Sequence, residues 1–313
     1  MQPEQQLDYA AVRAAADRIA GGVRPVAVAP ASDGVWYALE HLQHTGSFKA
    51  RGARNFLAAH HRAGTLPAAG VTIASGGNAG LACAWAARAQ SVPATVFLPV
   101  NAPRVKVERL RGYGARVRLV GDRYAEALAA CREFAADSGA LSSHAYDHPL
   151  IAAGAGTLLD EIRAALPGLD TVVVAVGGGG LFAGVATAAR EHGVRVVAAE
   201  PENCRALNAA LAAGRPVDVE VDSVAADSLG ATRVSADALA AAREGDVTSV
   251  LVPDTEITAA RRALWEDHRI VVEAAAATAL AALRGASEPL GKRVAVVLCG
   301  ANTDPGDLAG PGV

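Results

Sequence analysis

Hydrophobic and polar positions alternate with two different periods along this chain, and the order in which the periods appear predicts the architecture. Leu7 to Ala20 carries apolar residues at helical spacing and stops at Gly21-Gly22, the pattern of an amphipathic first helix. Val35 to Leu42 reads as a strand. From residue 71 the alternation becomes regular: strand Val71–Ala74, helix Gly80–Gln90, strand Ala94–Leu98, helix Arg104–Gly112, strand Arg116–Val120, helix Tyr124–Ala136 and strand Ser142–Tyr146. A second series follows, with helix Gly156–Leu166, strand Thr171–Val176, helix Leu181–His192, strand Val194–Ala199 and helix Arg205–Ala213. Strand Thr248–Val252, helices Asp254–Asp267 and Ala274–Leu283, and strand Arg293–Leu298 complete it. Strands that alternate with helices predict an α/β protein with mostly parallel sheets flanked by helices.

The 313 residues suffice for two lobes. The pattern sets the crossings near residues 50 and 147, giving one lobe of residues 1–50 and 148–313 and a smaller one of residues 51–147. Charged residues make up 19% and the net charge is -3, so no basic field points to nucleic acid or an anionic membrane, and a small-molecule partner is expected. Met1 to Asp8 carries no export pattern, and apolar runs such as Val172 to Val176 are too short to span a bilayer. Cys83, Cys131, Cys204 and Cys299 lack the short paired spacing of zinc or redox sites, and a reducing cytoplasm fits these features.

Ligands of open α/β sheets bind beyond the carboxyl ends of strands. Three such ends stand out: Ser75-Gly76-Gly77-Asn78-Ala79-Gly80, Gly177-Gly178-Gly179-Gly180 and Cys299-Gly300-Ala301-Asn302. The four glycines open a helix, so backbone N–H groups there could converge on a phosphate. Gly178-x-Gly180-x-x-Ala183 also fits a dinucleotide fingerprint, with Glu200 as the ribose-binding acid. Ser75 and Asn78 suit either a ligand oxygen or ordinary helix capping. Cys299 alone reads as a small buried hydrophobe. A fourth segment, Ser47-Phe48-Lys49-Ala50-Arg51-Gly52, offers a lysine amine with Arg51 as a cationic neighbour. By itself it equally suits a surface loop; as a nucleophile it needs a pocket that lowers its pKa.

Together and in this order, the four segments resemble the fold-type II pyridoxal-phosphate enzymes, a tryptophan synthase beta-like group that includes serine and threonine dehydratases, serine racemase, threonine synthase and cysteine synthase. The resemblance runs from about residue 30 to 303 and implies that the larger lobe binds the cofactor. It implies that Lys49 holds the cofactor covalently and acts as catalytic base, with Phe48 against the ring. Gly177, Gly178, Gly179, Gly180 and Leu181 would hold the phosphate, and Cys299 would face the pyridine nitrogen. Ser75, Gly76, Asn78 and Ala79 would hold the substrate carboxylate, and Asn78 also the cofactor's phenolic oxygen.

Within the group the motifs look most like the L-serine dehydratases, which share Ala79 and Cys299 and the pattern of Ser223 to Gly230. The resemblance implies β-elimination from L-serine and L-threonine to 2-oxo acid and ammonia, as in amino-acid catabolism. A 3-hydroxyaspartate dehydratase, a threonine synthase or another β-replacement enzyme is the alternative. Serine racemase has a second acid-base residue, a serine, where this chain has Gly76, so racemisation is not expected. Relatives also hold a cation, which implies potassium at Glu200 with the carbonyls of Cys204, Leu229 and Ala231; Glu200 alone reads as a solvated strand-end acid. A homodimer is expected from the family. Only Thr303 to Val313 follow Asn302, so control by isoleucine at a regulatory domain is not expected.

Overall fold

The computed structural model describes residues 6–308. Residues 1–5 and 309–313, which bear on the expectations about export and the regulatory domain, lie outside the described residues. In chain order the main elements are α1 (Tyr9–Ile19), β1 (Val28–Ser32), β2 (Val35–Ala38), α2 (Lys49–Arg62), β3 (Val71–Ala74), α3 (Asn78–Arg88), β4 (Ala94–Leu98), α4 (Arg104–Gly112), β5 (Arg116–Leu119), α5 (Tyr124–Ser138) and β6 (Leu141–Ser142). Then come α6 (Pro149–Ala165), β7 (Thr171–Ala175), α7 (Gly180–Glu191), β8 (Arg195–Pro201), α8 (Ala206–Ala213), α9 (Ala226–Leu229), α10 (Ala236–Glu244), β9 (Val247–Val252), α11 (Asp254–His268), α12 (Ala274–Arg284) and β10 (Val294–Val297).

The strands form a six-stranded sheet in the order β1-β2-β10-β7-β8-β9 and a four-stranded sheet in the order β5-β4-β3-β6. All neighbours pair in parallel except β1 and β2. Strands β3, β4 and β7 are buried along their whole length, as near-continuous apolar runs covered on both faces must be. Helix α12 lies against β7 to β10 and is backed by α11, while α7 lies against β7 and β8 and packs on α6 and α10. Helix α2 touches both α3 and α6 and so joins the two halves of the chain. The α6–α7 crossing is close: a Cβ added to Gly184 would lie 2.0 Å from the Ala152 carbonyl oxygen, so only glycine permits it.

Several expectations change, and helices α9 and α10 were not anticipated. Strand β1 was not anticipated; it pairs with β2 through a turn at Asp33-Gly34, with Gly34 at φ 71. The predicted strand Val35–Leu42 stops at Ala38, and a 3-10 turn occupies Glu40–Leu42. Lys49 opens a helix of 14 residues rather than lying in a loop; Gly52 hides the helical pattern, and it is there because a Cβ would meet the Ile151 carbonyl oxygen at 2.7 Å. Helix α6 begins at Pro149, seven residues before Gly156, because Gly154 and Gly156 serve close contacts with α2 and α7 rather than a turn. In each glycine case, tertiary packing overrides local propensity.

Candidate active site

The site is built on the end of β10. Beyond Val297 the chain continues as a rail for the lysine segment: His41 N–H donates to Leu298 O at 2.7 Å, Phe48 N–H to Cys299 O at 3.0 Å and Ala301 N–H to Gly46 O at 2.9 Å. Ser47 bridges Gly300. Thr45 is held at φ 63, and the buried hydroxyls of Thr45 and Ser47 have no hydrogen-bond partner among the described residues. These contacts place Lys49 at the first turn of α2 with Phe48 beneath it, Nζ lying 4.8 Å from the ring centroid.

Lys49 Nζ is partly buried and donates to the carbonyl oxygen of Ala145 at 2.8 Å. Burial brings its pKa from 10.5 down to about 8, against the opposing pull of Cys299 and Glu273. Arg51 takes no part in this. Its guanidinium is fully buried between Glu40 and Glu161, at 2.6 Å from each, so the expected cationic neighbour is a structural ion pair instead. Burial also pushes the Cys299 thiol far above its ordinary value, with Glu273 adding to the effect, so the thiol is neutral.

The glycine turn joins β7 to α7. Gly179 takes φ 94, and a Cβ there would lie 2.4 Å from that of Ala238. A Cβ at Gly178 would sit 2.3 Å from the Tyr146 ring, and one at Gly177 would lie 3.0 Å from Leu229 Cα. Leu181 is buried behind the turn. The turn itself thus consists of backbone without side chains, and α7 begins at Gly180 with its first N–H groups unmatched within the helix.

The third loop joins β3 to α3. Asn78 is the first residue of α3 and Gly77 its N-cap, with no side-chain capping bond from Ser75 or Asn78. Asn78 Nδ2 instead donates to both oxygens of Glu273, at 2.8 and 3.0 Å, and Asn78 Oδ1 accepts from Asn302 Nδ2 at 2.6 Å. Gly76 packs against Leu98, whose Cδ2 would lie 2.7 Å from an added Cβ, and Ala79 is buried.

Three further residues were not identified from sequence. Glu273 immediately precedes α12, where an acid reads as an ordinary helix-start residue. Ala145 and Tyr146 lie in a stretch predicted as strand, but β6 ends at Ser142 and the irregular segment after it supplies both contacts. No local signal marks them. Glu200 is fully buried at the end of β8, not solvated. Its two oxygens accept the N–H groups of Leu207 and Asn208 at 2.7 and 2.8 Å, and burial raises its pKa to about 7. The carboxylate thus faces α8, which disfavours a ribose-binding role. Cys204 packs beside Asp222 and Ser223, Leu229 lies against Gly177, and Ala231 follows as its N–H bonds to Leu229 O.

Residues 22–300 match the family model described as pyridoxal-phosphate dependent enzyme. The chain belongs to that family. The L-threonine ammonia-lyase of Geobacter sulfurreducens is 39% identical over 86% of this chain and 67% of its own length. A serine dehydratase-like protein of Homo sapiens is 38% identical over 86% of this chain and 85% of its own. Among solved structures, maize serine racemase superposes with a TM-score of 0.89 at 28% identity, covering 97% of this chain and 96% of that one. The site fits the cofactor of the family: a partly buried amine of lowered pKa and buried hydroxyls at Thr45 and Ser47 lie beyond the end of β10, and a turn of backbone N–H groups follows its parallel neighbour β7.

Proposed function

We propose that this enzyme dehydrates L-serine and L-threonine, giving the 2-oxo acid and ammonia. The observation that carries the reading is Lys49, an amine with pKa about 8 and no other acid-base side chain placed to rival it at Gly76. Pyridoxal phosphate, when bound, supplies an electron sink that makes the substrate's Cα–H bond acidic. Lys49 and Phe48 would hold its ring, Gly177 to Gly180 and Leu181 its phosphate, Asn78 and Cys299 its polar edge atoms. Ser75, Gly76, Asn78 and Ala79 would seat the substrate carboxylate at the start of α3, where helix N–H groups favour an anion.

Lys49, uncharged, takes the Cα proton. The Cβ–O bond then breaks and the hydroxyl leaves as water with the proton that Lys49 has taken; the enamine released adds water to become 2-oxo acid and ammonia. Gly76 has no proton to return from the other face, so elimination is not diverted to racemisation. Cys299, a neutral thiol, would offer the cofactor's ring nitrogen no full negative partner, which would favour prompt loss of the β-substituent.

One observation favours a second reading, 3-hydroxyaspartate dehydration. Arg109 reaches across from α4 to Asn302 Oδ1 at 2.5 Å, one residue from Asn78 in the same network, and a cation there suits a second substrate carboxylate. Threonine synthase, whose substrate is phosphorylated, would draw on the same cation.

The reading includes a potassium ion at Glu200, with carbonyls of Cys204, Leu229 and Ala231. Glu200 is buried with no salt-bridge partner among the described residues, and each oxygen keeps a lone pair after accepting one N–H. It also includes the division into a small lobe of residues 51–147 and a larger cofactor-binding lobe, a cytoplasmic location and a homodimer. Among the described residues no helix is long and apolar enough to cross a membrane. Keto-acid release from L-serine, L-threonine and 3-hydroxyaspartate, with Lys49→Ala as control, tests the function. Turnover of serine or threonine by the parent and none by the variant supports it; full turnover by Lys49→Ala overturns it.

A further inference from the structure

Glu273 belongs to none of the four motif segments, yet its carboxylate is the acceptor on which the Asn78 side chain turns. It occupies the N-cap position of α12 without using its side chain to cap that helix. Its backbone is pinned, since Glu273 N–H donates to Gly300 O at 3.1 Å. Only 8% of the residue is exposed, and room for the carboxylate exists because residue 300 is glycine: a Cβ there would lie 2.2 Å from Oε1.

The amide of Asn78 has one orientation in this network. A carboxylate accepts and does not donate, so Nδ2 must face Glu273, and Asn302 Nδ2 donates to the Oδ1 on the other side. The two oxygens of one carboxylate subtend a much smaller angle at Nδ2 than the two N–H bonds of an amide. A single hydrogen is therefore shared between Oε1 and Oε2, and the second points away from the carboxylate, free for a ligand. Which way it points is set by Glu273.

We propose that Glu273 is a positioning residue that aims the free N–H of Asn78 at the cofactor. The inference rests on the assignment of Asn78 to cofactor binding made above. Glu273 makes no hydrogen bond to Lys49; beyond its electrostatic pull on Lys49 and Cys299, it acts on the cofactor through Asn78. With an amide in its place, a donor would face a donor and Asn78 would lose its single orientation.

The test compares the parent protein with Glu273→Gln, Asn78→Ala and the double variant, each stripped of cofactor and titrated with pyridoxal phosphate. Affinity, the visible band of the bound cofactor and kcat against KM for serine are read. Loss of one hydrogen bond to a charged group predicts about tenfold weaker cofactor binding for Glu273→Gln. A shifted visible band and a kcat that falls more than KM rises are expected with it. Asn78→Ala should show a similar loss, and the double variant should be no weaker than Asn78→Ala alone, which a merely structural role would not produce. Parent-like affinity and band in Glu273→Gln, or losses that multiply in the double variant, overturn the proposal. If Glu273→Gln does not fold, Glu273→Asp is read at the same outcomes, since its carboxylate is one methylene short of Nδ2. A parent protein that binds cofactor but releases no keto acid would overturn the dehydratase reading and leave the affinity and band results to decide this one.

Discussion

Lys49 Nζ donates to the carbonyl oxygen of Ala145 at 2.8 Å, across 96 positions of sequence. The next residue, Tyr146, packs its ring on Gly178 and its backbone on Gly180, and its hydroxyl donates to Arg233 O at 3.2 Å. Two consecutive residues of an irregular segment therefore link the amine to the glycine turn. His144 orders that segment through Nδ1, which accepts the N–H of Asp147 at 2.8 Å. The spacing between the lysine and the glycine turn is thus set by one short stretch of backbone.

The lysine's pKa of about 8 predicts how cofactor uptake depends on pH. The neutral amine is the reactive form, so uptake by the stripped protein should rise by about tenfold from pH 7 to 9 and then level. A lysine at 10.5 would keep rising beyond pH 9. Stability follows the same shift with a definite sign: between 8 and 10.5 the unfolded chain holds a proton that the fold has released, so the cost of Lys49 to the stripped protein is full below pH 8 and eases as pH climbs through that window. Lys49→Met should raise the melting temperature at pH 7 and lose that advantage towards pH 10.5. An uptake rate still climbing at pH 10 would refute the assigned pKa.

Substitution in the glycine turn should act on cofactor binding rather than on the core. Gly178→Ala drives a methyl into the Tyr146 ring and Gly179→Ala forces a side chain at φ 94 against Ala238. Both should weaken pyridoxal-phosphate binding by tenfold or more in an equilibrium titration, because the N–H groups must shift with the backbone. Unchanged affinity in both variants would show that the turn does not hold the phosphate.

Arg51 should matter for folding and not for chemistry. Its removal leaves Glu40, 1% exposed, as a buried charge without a cation. Arg51→Met should destabilise by about 3–5 kcal/mol in denaturant unfolding, and a double variant that also carries Glu40→Gln should recover part of this. A loss under 1 kcal/mol would mean that water or Glu161 rearrangement relieves the charge.

The β/α alternation was legible because buried parallel strands such as Thr171–Ala175 show their burial in composition alone. The motifs at the strand ends were legible for a related reason: backbone-lined turns need glycine, and glycine in series is rare elsewhere. What stayed hidden depends on tertiary partners. Lys49 to Arg62 does not look helical until Gly52 is seen against Ile151, and Glu273 does not look like a site residue until Gly300 and Asn78 close around it. The direction of Arg51, towards Glu40 and away from the amine, is equally a property of packing.

Glu200 supplies the test of potassium. Burial raises its pKa from 4.5 to about 7, so without a cation the fold holds a proton there that the unfolded chain has lost. Its contribution to stability is then full below pH 4.5 and disappears as pH rises through 7. A potassium ion binds the ionised form and should restore stability above pH 7. Melting curves in potassium chloride and in tetramethylammonium chloride, matched for ionic strength, should separate at pH 8 and coincide at pH 4.5. Glu200→Ala, which also leaves the N–H groups of Leu207 and Asn208 without their acceptor, should cost about 1–3 kcal/mol and abolish the difference between the two salts. Coincident curves at pH 8 for the parent protein would remove the cation from the site and leave Glu200 as the cap of α8.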